Sequence, residues 1–350
     1  MRVLFLTAGT QSPSSRFRVE QYLRFYRAAG VDCVVHAGHG DLYNRLLHTK
    51  LSLPYRVFGS LRRSVYSMLA PTADLVFVQR TAFPHSALAE RMLARLGTPL
   101  IFDVDDAVHL GAGETRNKMR EQALADVTRV ARHVVAGNRY LADLIAHPGK
   151  TSMIPTAIDI ERYRPAPRRH DGSVVVGWMG TVHNLQRLAV AIPDILRLLN
   201  DDKRIRLKIV ANAFPALLLE KPHSQVEMLT WSAAREIEDL QSFDIGIMPL
   251  DDVPSARGKC GFKLLQYMAV GIPVVATAIG ANIDIVQGSG AGALVAPGAD
   301  WAVPLRLLCE NSQARQVAGA AGRARAEERY AASVVAQQYL DIFEQVARQR

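Results

Sequence analysis

Short apolar runs alternate with stretches in which apolar and charged residues recur at helical spacing, almost from one end of the chain to the other. Val3–Leu6 is the first run, followed by a polar Pro/Ser-rich loop and a helical pattern over Arg18–Ala29 that Gly30 closes. Strands are predicted over Val31–His36, Leu75–Val78, Leu100–Phe102 and His133–Ala136, with helices over Ser86–Leu96 and Arg139–Ile145. Runs this continuously apolar belong to parallel strands covered by helices on both faces. The rhythm breaks at Pro155–Gly172, where prolines and the cluster Arg162, Arg164, Arg168 and Arg169 read as an extended linker. It restarts with strands over Val174–Trp178, Arg206–Val210, Val226–Leu229, Ile245–Pro249 and Pro273–Thr277. The helices predicted among them are Arg187–Leu199, Ala233–Gln241, the segment between Gly261 and Gly271, and Trp301–Glu310, with a last helix over Ala331–Ala347.

Length turns this single rhythm into two domains. A chain of 350 residues exceeds the roughly 250–300 at which one core stops growing, so two tandem βαβ domains are expected, residues 1–165 and 166–330. Their sites should lie at the carboxyl ends of the strands and in the cleft between the domains. Cys33, Cys260 and Cys309 are odd in number, scattered and without metal-ligand spacing, which indicates reduced thiols in a cytosolic protein. No run approaches the roughly 18 apolar residues of a membrane span. The start MRVLFLTAGTQ turns polar without a cleavage site and reads as a first strand, so a cytoplasmic location is expected.

Charge separates the two halves. Residues 1–170 hold 24 Lys+Arg against 14 Asp+Glu, whereas residues 171–350 hold 18 against 19. From Leu42 to Ala73 there is no acid, and Arg45, Lys50, Arg56, Arg62 and Arg63 are interleaved with leucines, valines and aromatics. Two readings fit this segment: a solvated helical face, or a basic amphipathic surface for anionic lipid headgroups that makes the protein peripheral on the inner membrane face. No nucleic-acid motif accompanies the charge, and nucleic acid is not an expected partner.

Neither GxGxxG after the first strand nor GxxxxGK[ST] is present, and no His/Cys cluster has metal spacing. The dense chemistry lies in RGKCGFKLLQYMAVGIPVVAT, Arg257–Thr277. Gly261 lets backbone approach a ligand, and the helix it opens presents its positive dipole end. Lys259 precedes that helix, Lys263 sits in its first turn, and Gln266 is three residues further on the same face. A lysine in a first turn opposes the dipole, so a bound anion is the favoured reason for it. In the first domain, IFDVDDAVH sets Asp103, Asp105 and Asp106 at a strand end, where mutual repulsion raises a pKa unless cations are near. Arg16 in SPSSRFR and Arg80 at the end of LVFVQR also stand at strand ends.

The segment GKCGFKLLQYMAVGIPVVAT resembles the donor-binding segment of family 4 glycosyltransferases of the GT-B fold, usual form EGFGxxxxEAMAxGxPVV. VVVGWMGTVHN, RIRLKIVANA and VEMLTWSAAREIEDLQSFDIGIMPL follow that family's order, so the resemblance covers nearly the whole chain. It implies an α/β fold of two Rossmann-like domains facing each other across a cleft, with the last helix, residues 331–350, crossing back to the first domain. It also implies a retaining, metal-independent transfer of sugar from a nucleotide-diphosphate-sugar, bound mainly by the second domain, to a glycan or lipid-linked acceptor in cell-surface polysaccharide synthesis. No cofactor beyond the sugar nucleotide is implied.

Carried over by position, Gly180, Thr181 and Asn184 would face the diphosphate or sugar, Trp231 and Ser232 the nucleobase, and Lys259, Cys260, Gly261 and Phe262 the sugar and diphosphate. Arg16 would meet the diphosphate from the first domain. Arg80, by its place at a strand end, Asp105 and His109 are expected on the acceptor side. Lys259, Lys263, Asp105 and Asp106 are the expected catalytic groups. Two of the family's glutamates are replaced, the first by Gly258 and the second, which holds ribose, by Gln266. Asp105 and Asp106 occupy the place of a His-Asp pair. A DxD metal motif on the aspartates does not suit the tandem βαβ organisation. The rival classes are a sugar-nucleotide epimerase of the same fold and a non-catalytic sugar-nucleotide-binding protein.

Overall fold

The computed structural model describes residues 1–9, 12–39, 52–111, 114–145, 147–167, 172–214 and 222–349. Residues 42–51 of the basic segment and Arg168 and Arg169 of the expected linker lie outside them. Packing divides the chain into two compact units: Met1–Ala157 with Gly258–Cys260 and Ala332–Arg350, and Ile158–Arg257 with Gly261–Ala331. The first break between them along the chain falls at Ala157/Ile158.

Among the described residues the first unit holds six strands, β1 (Arg2–Gly9), β2 (Asp32–His39), β3 (Leu75–Gln79), β4 (Leu100–Val104), β5 (His133–Ala136) and β6 (Thr151–Met153). They form one parallel sheet in the order β2-β1-β3-β4-β5-β6. β3 and β4 are buried at every position, as expected for apolar strands covered on both faces. One face is covered by an aromatic cluster in which Tyr22, Tyr26 and Phe77 meet Tyr339 and Phe343 of the last helix, Ala332–Ala347.

The second unit repeats the plan with β7 (Val174–Gly180), β8 (Ile205–Ala211), β9 (Val226–Thr230), β10 (Ile245–Met248), β11 (Val274–Thr277) and β12 (Gly292–Val295), in the order β12-β11-β10-β7-β8-β9. All its pairings are parallel too. Both orders reverse direction, between β1 and β3 in one sheet and between β7 and β10 in the other. A crevice opens at the carboxyl ends of strands at such a point.

Local signals explain where the elements depart from expectation. The helix predicted over Arg18–Ala29 is three pieces, Pro13–Arg18, a 3₁₀ turn Glu20–Tyr22, and Leu23–Ala28, the chain breaking at Val19 with φ −134°. Arg187–Leu199 is likewise a 3₁₀ turn followed by a helix from Ile192, with proline in its first turn. Helix Lys118–Val130, unassigned from the sequence, starts where the Asn117 side chain accepts from the Arg120 amide at 3.1 Å. Among the described residues no helix is long and apolar enough to cross a membrane.

Candidate functional site

Each sheet carries polar side chains at its reversal point. In the first unit Arg80 follows β3 with φ 58°, a left-handed conformation unusual for a side chain of its size. Its guanidinium donates from Nε to Asp105 Oδ1 (3.0 Å) and from Nη2 to Ser14 Oγ (2.8 Å), and Nη2 lies 3.6 Å from Asp106 Oδ2. The neighbouring Ser15 hydroxyl donates to Gln79 at 3.0 Å and accepts from the Gly9 amide at 3.3 Å. Ser14 and Ser15 thus fasten the helical piece after β1 to the end of β3.

This geometry separates the three aspartates. Asp103, inside β4, is fully buried and takes Arg18 Nε at 3.1 Å and Nη2 at 2.5 Å together with the Tyr339 hydroxyl at 2.9 Å. Burial raises its carboxyl above the ordinary value, and Arg18 offsets only part of that. Burial pushes Asp105 upward as well, but Arg80, then Arg18 and Ser14, outweigh it and leave its pKa below the usual carboxylate value. Asp106 is the accessible one, its side chain 46% exposed against 11% for Asp105. Its Oδ1 accepts its own neighbour's amide, Ala107 N, at 2.9 Å. Asp106 lines a cavity of about 280 Å³ with Arg80, Thr81, Val108, Arg120 and Leu124. Asp103 is therefore not half of a paired metal motif, because its carboxylate is enclosed by an arginine and a tyrosine.

His109, expected on the acceptor side, is 6% exposed, and its buried Nδ1 has no partner among the described residues. Burial lowers its pKa, with Glu121 and Asp106 opposing. The guanidinium of Arg16 rests over the Phe17 ring at 5.1 Å. The buried Arg18 two residues on is the arginine that pairs with Asp103.

The lysine-rich segment divides between the units. Gly258–Cys260 pack with the first: the Lys259 carbonyl accepts from Asn138 Nδ2 at 2.9 Å, and Cys260 Sγ donates to the Asp105 carbonyl at 2.9 Å. Burial pushes the Cys260 thiol up to about 12, so it is an inert hydrogen-bond donor. A Cβ on Gly258 would stand 2.8 Å from Ala107 Cβ. No glutamate fits at 258 while this packing holds.

In the second unit Gly261, at φ 67°, caps helix Phe262–Ala269, and a Cβ there would fall 2.4 Å from Ile285 Cδ1. Lys263 Nζ lies over the Trp178 ring at 5.4 Å from its centroid. A Cβ on Gly180 would meet Lys263 Cε at 2.7 Å. Glycines at 180 and 261 thereby let the lysine and the helix amides stand at the end of β7. The exposed Thr181 accepts from Asn184 Nδ2 at 3.1 Å, and Arg187 is engaged by Asp251 and by Ser255 Oγ at 2.8 Å.

Gln266 is 7% exposed and donates from Nε2 to Glu236 Oε1 at 3.3 Å. The Tyr163 hydroxyl donates to the same oxygen, and Trp231 Nε1 donates to Oε2 at 3.2 Å. Ser232, beside that indole, accepts the Arg235 amide on its carbonyl at 3.2 Å. Glu236, which the sequence analysis did not single out, is the hub of this cluster. The signal was a glutamate five residues after Trp231, but its meeting with Gln266 needs the fold. A carboxylate at 266 would lie against that of Glu236, so an amide at 266 is the complement of an acid at 236.

The two parallel sheets, each with its reversal point, are those of the GT-B fold. Residues 173–311 match the family model described as Glycosyl transferases group 1. D-inositol 3-phosphate glycosyltransferase from Geodermatophilus obscurus is 28% identical over 235 residues, 57% of this chain and 50% of that one. The enzyme of that name from Kineococcus radiotolerans is 25% identical over 266 residues, 66% of this chain and 60% of that one. The chain thus spans 50% and 60% of these curated relatives. Among solved structures, Anabaena HepE in complex with UDP and glucose superposes with a TM-score of 0.74 at 17% identity, covering 99% of this chain and 100% of that one. Sucrose-phosphate synthase from Thermosynechococcus elongatus gives 0.74 at 14% identity, with 100% of each chain covered. At these identities the likeness is one of fold.

Proposed function

We propose that the protein is a retaining glycosyltransferase that moves a sugar from a nucleotide-diphosphate-sugar to a glycan or lipid-linked acceptor in cell-surface polysaccharide synthesis. The observation that carries this reading is the start of helix Phe262–Ala269, where first-turn amides and Lys263 stand beside the glycine turn ending β7, within the span that matches the glycosyl transferases model. Such a helix start suits a diphosphate. The C1–O bond to the diphosphate breaks as the bond to the acceptor hydroxyl forms on the same face, and the leaving diphosphate takes the acceptor's proton. Lys263 and the amides then stabilise the negative charge that grows on the leaving group.

On the acceptor side we assign Asp106, the accessible carboxylate of the 280 Å³ cavity, to the acceptor hydroxyl, and Asp105 and Arg80 to holding it in place. Trp231 and Gln266, both tied to Glu236, are assigned to the nucleoside. No metal is assigned a part in transfer. The test incubates the protein with a panel of nucleotide-sugars, UDP-sugars first, with and without EDTA, and measures nucleoside diphosphate release and the anomeric configuration of the product. Release that survives EDTA with retained configuration is the expected result. Tight binding with no release from any donor would make the protein a sugar-nucleotide-binding one.

A further inference from the structure

Helix Ser52–Tyr66 is turned inside out. Towards β2 it presents the buried Gly59, the Tyr66 ring stacked on His36 with centroids 4.1 Å apart, and Arg62, which donates to the Ala37 carbonyl at 2.7 Å. To solvent it presents Val57, Phe58, Leu61 and Val65, spaced as one helical stripe, with Phe58 59% exposed. The stripe runs on through Met68, 74% exposed, and Leu69. An ordinary surface helix does the opposite, so a face of this kind marks a surface that something covers.

The same character continues on the neighbouring elements of the first unit. Helix Leu88–Arg95 exposes Leu88 and Met92 with Arg91 and Arg95 among them. Its acid, Glu90, points inward to accept the Ala82 amide at 2.6 Å. Helix Lys118–Val130 begins with the exposed pair Lys118 and Met119. Between these two helices runs an open groove of about 420 Å³ lined by Leu88, Arg91, Lys118 and Met119. Asp126 at its edge is already taken by Arg129 at 2.8 Å and Gln122 at 2.9 Å. The groove shares Ala123 with the cavity that holds Asp106.

We infer that this apolar, basic face seats the protein on an anionic bilayer and that the acceptor is membrane-borne, reaching Asp106 from the groove. Charge favours lipid over another protein surface: the chain has no acid from Leu42 to Ala73, and helix Leu88–Arg95 turns Arg91 and Arg95 outward and its acid Glu90 inward. Phe58, Val65 and Met68 enter the boundary between headgroups and acyl chains, and Arg91, Arg95 and Lys118 meet the phosphates. Docking stands on the surface alone; the identity of the acceptor rests on the transferase reading.

The full chain is tested by flotation with phosphatidylcholine vesicles with and without phosphatidylglycerol, in the absence of nucleotide-sugar. Binding to the anionic vesicles that weakens with salt is expected, and F58S/V65S and R91E/R95E should each reduce the bound fraction about tenfold or more with unchanged thermal melting. Should F58S/V65S fail to fold, M68S/M92S makes the same comparison. Absence of binding at low ionic strength, equal binding by the variants, or a dimer in sedimentation that F58S/V65S dissolves would each overturn the inference. Nucleotide release is measured separately without vesicles, so a failed flotation leaves the transferase reading standing, and the reverse.

Discussion

The two units solve one problem differently. Both enclose a buried carboxylate, but in the first unit Asp103 and Asp105 are each met by a guanidinium, whereas in the second Glu236 is held by the neutral donors of Tyr163, Gln266 and Trp231. The ionic solution fixes charge within the protein itself and leaves Asp106 as the carboxylate that reaches solvent. The neutral solution keeps cations out of the cluster, while Lys263 stands over an aromatic ring at the helix start. The first unit meets its buried carboxylates with guanidinium groups, and the second leaves Lys263 at the helix start where we propose that an anion binds.

Removing one partner of the enclosed pair should have the largest effect. Arg18→Ala leaves Asp103 buried and uncompensated, and a loss of about 3–5 kcal/mol in denaturant unfolding is expected. Next, Lys263→Ala should lower turnover by about 100-fold, the scale of losing one preorganised group at a developing charge, with little change in melting temperature. Near-normal turnover with a good donor would remove Lys263 from the chemistry. Lys259→Ala, in the segment that packs with the first unit, gives the contrasting measurement.

Gln266→Glu sharpens the comparison within the second unit, because it sets two carboxylates against each other. One of the pair then has a folded pKa raised above its unfolded value, so the variant should be less stable than the parent at neutral pH and regain stability as the pH falls towards the carboxylate range. The exchange Glu236→Gln with Gln266→Glu should restore much of the loss, read from thermal melting. The smallest effect concerns Asp105. Its pKa is depressed in the fold, so its contribution is present above the unfolded carboxylate range and is lost as the pH falls through the lower folded value. Arg80→Ala should move the acid unfolding midpoint upward by less than about one pH unit.

Much of this was legible in the chain. The apolar runs Leu75–Val78, Leu100–Phe102 and Val274–Ala276 read as strands, the first two locate Arg80, Asp105 and Asp106, and the glycine before Phe262 marks the helix start. β6 and β12 escaped because Thr151–Met153 and Gly292–Val295 are short strands at the sheet edges, where neither alternation nor a long apolar run develops. The partners of the buried acids escaped for another reason. Tyr339 lies 236 residues from Asp103, and Tyr163 lies 73 from Glu236. Nothing local marks such meetings, and the burial of Arg18 against Asp103, 85 residues away, is equally silent in the sequence. The missing glutamates show the limit most clearly, since the reasons for Gly258 and Gln266 are the Ala107 methyl and the Glu236 carboxylate.

The left-handed turn at Arg80 sets a conflict for anyone engineering this chain. Glycine or asparagine would take that backbone shape at less cost, and a search for thermostable variants would be drawn to the position. Either replacement also frees the loop serine and both aspartates that the guanidinium gathers. Backbone ease and the order of this cluster are therefore opposed at residue 80, and on the transferase reading proposed above a variant altered there is expected to lose its grip on the acceptor.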